Sequence, residues 1–342
     1  MIIGLFVICY ISIFILTLVA LSRVTKIRLL KQCLFSFSFL VLAMVTFLLY
    51  FQLQEENIEI NIVDIISKFI VKKEEDNFLL QEESQVVSVD NDSRLPYTVF
   101  IDRDPVRFET YHEAVDYASK NNTNVYYWDT NTVVWENDFK LPLKILLDAP
   151  LISQLPELPR GCEVTSLAMM LNYAGVTADK MILAEEVIKD PTPYQKTDGK
   201  VFFGNPYDGF VGDMYNINNP GYGVYHGPIK KLAENYLPNR VLDLTGTDFQ
   251  NILYHISMGK PVWVISNATF SKLPNSAFQT WETPTGTVEI TYREHSVLIT
   301  GFDKEYIYFN DPLEYVKNRK ILKENFVEAW KQMGKQAITF ID

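Results

Sequence analysis

The segment from Gln154 to Val176 reads QLPELPRGCEVTSLAMMLNYAGV and holds the only cysteine after Cys33. Hydrophobic side chains recur at helical spacing behind Cys162, and Gly175 is a typical helix stop. We therefore predict a buried helix that begins at Cys162. Such a helix is driven into the core of a domain and carries its first residue with it.

A cysteine in the first turn of a helix has two possible roles. Unpaired backbone N–H groups and the helix dipole favour an anion there, so the pKa of the Cys162 thiol is expected to fall and the thiolate to act as a nucleophile. Alternatively, Cys162 is a small inert core residue, as buried cysteines commonly are. Glu163, the next residue, can cap the helix but raises the thiol pKa by like-charge proximity.

A thiolate nucleophile also needs a histidine to take and return a proton. His255 lies inside a predicted amphipathic helix and is expected to be structural. His226 lies in a glycine-rich loop and could border a cleft. His295 begins the predicted strand HSVLITGF, whereas His112 is expected on the surface of a small N-terminal module.

The strand after His295 offers an acid. If Asp303–Glu305 forms a three-residue loop, Phe302 pairs with Tyr306 and Asp311 becomes a diagonal neighbour of His295. A two-residue loop would instead place Asp311 on the other face of the sheet. Separately, His295 could be an ordinary strand histidine and Asp311 part of an Asn-Asp-Pro turn.

Glutamine, cysteine on a helix, histidine on a strand and an acid on the next strand occur here in papain-like order. The blocks LISQLPELPRGCEVTSLAMMLNYAG, GFVGDMYNINNPGYGVYHGPI and REHSVLITGFDKEYIYFNDP resemble the bacteriocin-processing peptidases, family thirty-nine of the cysteine peptidases, which remove leaders after a double glycine. The resemblance is closest to their stand-alone branch and covers about residues 145 to 342. It implies Cys162 as nucleophile, His295 as base and then acid, Asp311 as the orienting acid, and Gln154 as oxyanion donor together with the Cys162 N–H.

The sequence departs from the transporter-linked members of that family in two ways. Those members have a shorter gap between glutamine and cysteine and usually carry glycine where this chain has Glu163. The 342 residues also contain no GxxxxGK[ST] phosphate loop, so no ATPase half is expected here. The departures leave open whether a leader peptide is the substrate.

The N-terminal part predicts a membrane anchor. Residues 1–53 contain two apolar stretches of spanning length around a basic loop, SRVTKIRLLKQ, which predicts a hairpin of two transmembrane helices. The positive-inside rule then places the loop in the cytoplasm and everything after Leu53 outside. Cleavage of the first helix as a signal peptide is the alternative. Residues 54–94 predict an acidic, extended linker.

Residues 95–140 predict a small module of two hairpins and a helix, and residues 141–342 the main domain. In the main domain helices come first, from Cys162 to Ala174, after Asp179, around Pro228 to Tyr236 and from Asp248 to Met258, and strands dominate the end. That order favours an α+β, papain-like fold over a doubly wound one.

The sequence as a whole predicts a membrane-anchored, extracytoplasmic thiol peptidase that acts on a peptide or protein substrate. The net charge of −11 argues against a nucleic-acid partner. No metal-ligand spacing or nucleotide loop is present, so neither a metal nor a cofactor is expected. The alternatives are an amide hydrolase or acyl transferase acting on cell-wall peptides, or a non-catalytic peptide-binding domain with a vestigial triad.

Overall fold

A computed structural model describes residues 95–128 and 132–342, which lie in one compact unit, Asn91–Asp342. The predicted transmembrane hairpin of residues 1–53 and the linker of residues 54–94 lie outside the described residues. Among the described residues, no helix combines the length and the apolar character needed to cross a bilayer.

The described part of the chain starts with a four-stranded sheet and one helix. The elements are β1 (Tyr97–Ile101), β2 (Asp104–Phe108), α1 (Tyr111–Lys120), β3 (Val125–Tyr127) and β4 (Thr132–Trp135). The strand order is β2-β1-β3-β4, with all pairs antiparallel. The two predicted hairpins are therefore joined edge to edge into one sheet, with the predicted helix between them in sequence.

This small sheet shares its hydrophobic core with the rest of the unit. Val99 and Tyr111 belong to the same buried cluster as Val264 and Phe309 of the large sheet described below. His255 Nε2 lies 3.0 Å from the Tyr111 hydroxyl, and burial lowers the pKa of His255 to about 3. This histidine is thus neutral and structural, as predicted.

A seven-stranded antiparallel sheet forms the centre of the unit, in the order β10-β17-β11-β14-β15-β16 with β5 paired to β14. Its strands are β5 (Ile145–Leu146), β10 (Val241–Asp243), β11 (Val262–Asn267), β14 (Glu294–Phe302), β15 (Tyr306–Asp311), β16 (Val316–Leu322) and β17 (Ala337–Phe340). Smaller sheets contain β6 (Lys189–Asp190), β7 (Gln195–Thr197), β8 (Lys200–Phe202), β9 (Phe210–Val211), β12 (Gln279–Thr283) and β13 (Gly286–Ile290).

The remaining helices are α2 (Cys162–Tyr173), α3 (Lys180–Glu186), α4 (His226–Tyr236), α5 (Phe249–Ser257) and α6 (Lys323–Gln332). The predicted mixture of helices and an antiparallel sheet is confirmed. Helix α2 is buried along nearly its whole length, and each leucine that it takes out of water contributes about 2 kcal/mol to folding. Helix α4 begins two residues before Pro228, so His226 is helical and not part of a loop.

The turn between β14 and β15 differs from the prediction. Phe302 pairs with Ile307 and not with Tyr306, because the connection is one residue longer than expected. A β-bulge in β14, between Ile299 and Gly301, then shifts the pairing of the two strands by one residue. Leu298 consequently pairs with Asn310. The predicted three-residue loop, without a bulge, would have given the same pairing.

Candidate active site

Cys162 is the first residue of α2 and is buried. Its Sγ donates to Glu163 Oε2 at 3.3 Å and lies within 4.8 Å of a carboxylate oxygen of Glu294. Glu294 precedes His295 on β14, and the Ser166 hydroxyl of α2 donates to the Ser296 carbonyl at 3.1 Å, so the helix start packs against the histidine-bearing strand. The residue before the cysteine must be small, because a Cβ on Gly161 would lie 2.5 Å from Leu158 Cβ.

The expected fall in the thiol pKa does not occur. Burial raises the pKa of Cys162 well above its ordinary value, and the charges of Glu163 and Glu294 raise it further, against the backbone hydrogen bond from Ser296. From the sequence alone, only the helix dipole and Glu163 bear on this pKa; the structure adds Glu294, the first residue of β14. Burial and the two carboxyl groups thus act against the stabilisation of a thiolate that is expected at the N-terminus of α2.

His295 and Asp311 lie on adjacent strands and form a buried pair. His295 Nε2 is 2.9 Å from Asp311 Oδ1, and the side chains are 3% and 1% exposed. The same carboxylate oxygen accepts from the backbone N–H groups of Leu313 and Glu314. Asp311 thus orients the imidazole through Nε2 and leaves Nδ1 for another partner.

Arg319, on β16, binds the other oxygen of the same carboxylate. Its Nη1 donates to Asp311 Oδ2 at 2.7 Å, and its guanidinium lies 4.9 Å above the Phe270 ring. Phe270 in turn meets the His295 ring edge-to-face at 5.8 Å. Burial would raise the pKa of Asp311, but His295, the Glu314 backbone and Arg319 lower it to about 2.

Gln154 is buried, and its amide is already hydrogen-bonded. Nε2 donates to the carbonyl oxygens of Leu158 and Pro159, both at 3.2 Å, whereas Oε1 has no partner. The glutamine therefore stabilises the turn at Leu158 and Pro159, which precedes Cys162 in the chain. In this arrangement both of its N–H donors are occupied.

A model of the Peptidase_C39-like family matches residues 146–338 of the chain. The chain belongs to that family. Over 194 residues it is 50% identical to the uncharacterized protein YvpB of Bacillus subtilis (strain 168), a match that covers 56% of this chain and 74% of the relative. A crystal structure of a candidate C39-like peptidase from Bacillus anthracis matches with a TM-score of 0.55 and 50% identity, over 58% of this chain and 98% of that one.

These C39-like matches support a cysteine-peptidase-like domain and a C39-like fold. The Peptidase_C39-like segment starts at residue 146, so β1 to β4 precede it. It includes the site residues from Gln154 to Asp311 and also Arg319 on β16. The matches show no membrane-anchored branch.

The glycine-rich segment of this C39-like domain packs against Glu163. The backbone N–H of Val224 donates to Glu163 Oε1 at 2.7 Å, and a Cβ on Gly223 would overlap that oxygen. Tyr222 and Tyr225 share a hydroxyl hydrogen bond of 2.7 Å, and Tyr222 meets the buried Trp281 edge-to-face. Glycine at residue 223 thus lets the loop reach the acid beside the cysteine.

The remaining histidines lie apart from this cluster. His226 Nδ1 is 2.8 Å from Asp243 Oδ2, and both side chains line a cavity of about 720 Å³ together with His112 and Lys230. The prediction of a surface His112 is wrong in part, because its Nδ1 is buried and unpartnered beside Gly246.

Three residues of the site escaped the sequence argument: Glu294, Arg319 and Phe270. Arg319 lies on β16, a strand that the sequence analysis did not predict. Glu294 directly precedes His295, and its charge was a signal that could have been weighed with Glu163. Phe270 follows β11 without any distinctive pattern.

Proposed function

We propose that this chain is a membrane-anchored thiol peptidase that cleaves a peptide amide through Cys162, His295 and Asp311. The observation that carries the proposal is the position of the Cys162 sulfur within 4.8 Å of a carboxylate oxygen of Glu294, the residue that directly precedes a histidine already oriented by Asp311. Membership of the Peptidase_C39-like family supports the same chemistry.

The proposed reaction begins with transfer of the thiol proton from Cys162 to Nδ1 of His295, since Nε2 faces Asp311. The thiolate attacks the amide carbonyl, and the imidazolium gives its proton to the leaving amine as the C–N bond breaks. Water, deprotonated by His295, then hydrolyses the thioester, which releases the acid and restores the thiol. Asp311 stays ionised throughout and stabilises the imidazolium.

An oxyanion site requires that Gln154 exchange partners. Its Nε2 lies within reach of two carbonyl oxygens and has no third N–H to offer. In the proposed mechanism a substrate oxygen replaces the Leu158 or Pro159 carbonyl, and the backbone N–H of Cys162 supplies the second donor.

The anchor and the orientation belong to the same proposal. Residues 1–53 would hold the chain in the membrane by two helices, and residues 54–94 would space the catalytic unit from the outer surface. A protease added to intact cells should release the part beyond Leu53 and spare the loop from Arg23 to Lys31. Cleavage of that loop in unlysed cells would contradict the orientation.

The test of activity compares extracellular peptides from cells carrying the wild-type chain or Cys162→Ala, with new N-termini identified by mass spectrometry. Peptides that appear only with Cys162, and that incorporate one oxygen from labelled water, establish hydrolysis. Cross-linked products without labelled oxygen would indicate acyl transfer to an amine, the alternative on wall peptides. Identical peptide sets from both strains would contradict the proposed enzyme and favour a non-catalytic peptide-binding domain.

A further inference from the structure

A pair of carboxyl groups lies directly beside Cys162. One oxygen each of Glu163 and Glu294 and the Cys162 sulfur lie within 4.8 Å of one another. Glu163 is 1% exposed, and Oε1 of Glu294 is buried without a hydrogen-bond partner. The proposed mechanism through His295 and Asp311 uses neither acid.

Nothing cationic balances these two acids among the described residues. Neither Glu163 nor Glu294 takes part in any ion pair found there. Burial raises the pKa of Glu163 to about 7, and burial together with Glu163 raises that of Glu294 well above its usual value. Ionising both of these buried carboxyl groups is unfavourable because of desolvation and the repulsion between like charges. One proton shared between them is therefore the expected state near neutral pH.

The surrounding elements fix this pair in place. The Val224 N–H holds Glu163 Oε1, and a Cβ on Gly223 would lie 3.2 Å from Glu294 Oε2. The titratable groups that act on the two acids are Cys162 on α2 and Tyr222 and Tyr225 on the loop before α4. Both tyrosines stay neutral because burial raises their pKa values above the usual range.

We propose that Glu163 and Glu294 share one proton and that this proton decides whether Cys162 forms a thiolate. The inference rests on the proposed thiol chemistry. With the pair fully ionised, Cys162 stays a thiol that donates to Glu163 Oε2. With one proton on the pair, the S–H proton passes to His295, the S–H bond breaks as an N–H bond forms, and the protonated acid donates to the thiolate.

Glu163 is on this view a catalytic residue, because it contacts the reacting sulfur at 3.3 Å. Glu294 is a positioning residue that acts through Glu163. The arrangement makes the enzyme most active on the acidic side of neutrality, where the pair holds its proton. It also explains how a thiol beside two acids can still serve as a nucleophile.

The experiment is iodoacetamide labelling of the full-length chain in membranes from pH 5 to pH 9, followed by mass spectrometry of the Cys162 peptide. The pH range brackets roughly the free-thiol pKa of about 8.5. The variants are Glu163→Gln, Glu294→Gln and His295→Ala, with Glu289→Gln, an exposed acid on β13, as the matched control. Glutamine imitates the protonated acid in shape and charge.

The ratio of labelling at pH 8 to labelling at pH 5 should rise about tenfold in both glutamine variants, which corresponds to a tenfold larger thiolate population. Glu289→Gln should match the wild type at every pH. An infrared band of a protonated carboxyl should be present at pH 7 in the wild type and should lose intensity in Glu294→Gln. This band tests the pair even if one variant labels poorly because it misfolds.

An unchanged pH ratio in both variants, with His295→Ala still slowing the reaction, would overturn the shared proton and keep the proposed peptidase. Absence of the carboxyl band would overturn it as well. If His295→Ala is labelled at the same rate as the wild type, the proposed peptidase is overturned. The role assigned to the acid pair is then overturned as well.

Discussion

Two histidine–aspartate pairs with nearly equal hydrogen-bond lengths lie in different surroundings. His295 and Asp311 are joined at 2.9 Å, with side chains 3% and 1% exposed. His226 and Asp243 are joined at 2.8 Å, with side chains 22% and 24% exposed. The first pair lies beside the cysteine, whereas no cysteine or serine is present among the described residues lining the cavity of the second.

The difference teaches that two histidine–aspartate hydrogen bonds of the same length can lie in unlike surroundings, and that the proposal for His295 and Asp311 depends on those surroundings. The His295 pair differs in its burial, in a third group that holds the acid, and in the nearby thiol. Arg319 supplies that third group, while Asp243 is held by its own turn through the Thr245 backbone. Each variant below alters one member of these two pairs or the group that holds the acid.

The largest effect is expected from His295→Ala. Removal of the base in the proposed mechanism should lower kcat/KM by about 1000-fold, within the range of lost acid–base catalysis. The measurement is hydrolysis of the peptide identified from the extracellular comparison. His226→Ala is the matched control and should change kcat/KM by less than about twofold. Equal losses in the two variants would remove the distinction between the pairs.

Asp311→Asn should lower kcat by about 100-fold, because an amide cannot stabilise the imidazolium as a carboxylate does. The variant should also lose about 2 kcal/mol of unfolding free energy at pH 7. The pKa of Asp311 is depressed, so its contribution is present above the ordinary value and is lost as pH falls from 3.8 toward about 2. Denaturant unfolding at pH 7 and pH 3 measures this dependence. A stability loss that stays constant over this range would contradict the assigned pKa, and full activity would make Asp311 a turn residue only.

Arg319→Gln should lower kcat/KM by about tenfold, because a charge-assisted hydrogen bond to Asp311 contributes roughly 1.5–3 kcal/mol and only part of it affects turnover. Arg319→Lys keeps the charge but loses the planar fork and should recover part of the rate. A merely structural arginine would alter thermal stability without shifting the pH profile of kcat. Lys320→Gln, on the same strand, is the control and should behave as the wild type.

The smallest effect on turnover is expected from Asp243→Asn. Burial would raise the pKa of Asp243, but the hydrogen bond and charge of His226 lower it, so the substitution removes a modest stabilising interaction. Tm should fall by a few degrees, while kcat/KM stays within about twofold. A large loss of activity would show that the cavity around His226 takes part in the reaction.

The sequence predicted the parts of this site that depend on local pattern. Helix α2, the strand that begins near His295, and an acid on the next strand all follow from periodicity and turn residues. The pairing of His295 with Asp311 was also expected, although through a different turn. Hydrophobic spacing determines such elements because burial drives them.

The parts that could not be predicted depend on groups brought together from distant segments. The pKa of Cys162 is raised by burial and by Glu294, which lies more than a hundred residues away in the chain. Gln154 donates to its own turn, a contact that no spacing encodes. Arg319 belongs to a strand with little hydrophobic alternation, so neither the strand nor its ion pair was expected.

The bulge beside Thr300 has a consequence for how the chain can change in length. A strand alternates with a period of two, so adding one residue to the turn after Phe302 would reverse the parity of β15 and send Asp311 to the opposite face. The bulge adds one extra residue to β14 as well, which restores the parity of the pairing before His295 and Asp311 are reached. Its carbonyl at Thr300 also accepts from Leu147 on the incoming segment, at 2.7 Å. The extra residue in the turn and the bulge in β14 therefore compensate for each other. A relative that lacks one of them is expected to lack the other as well.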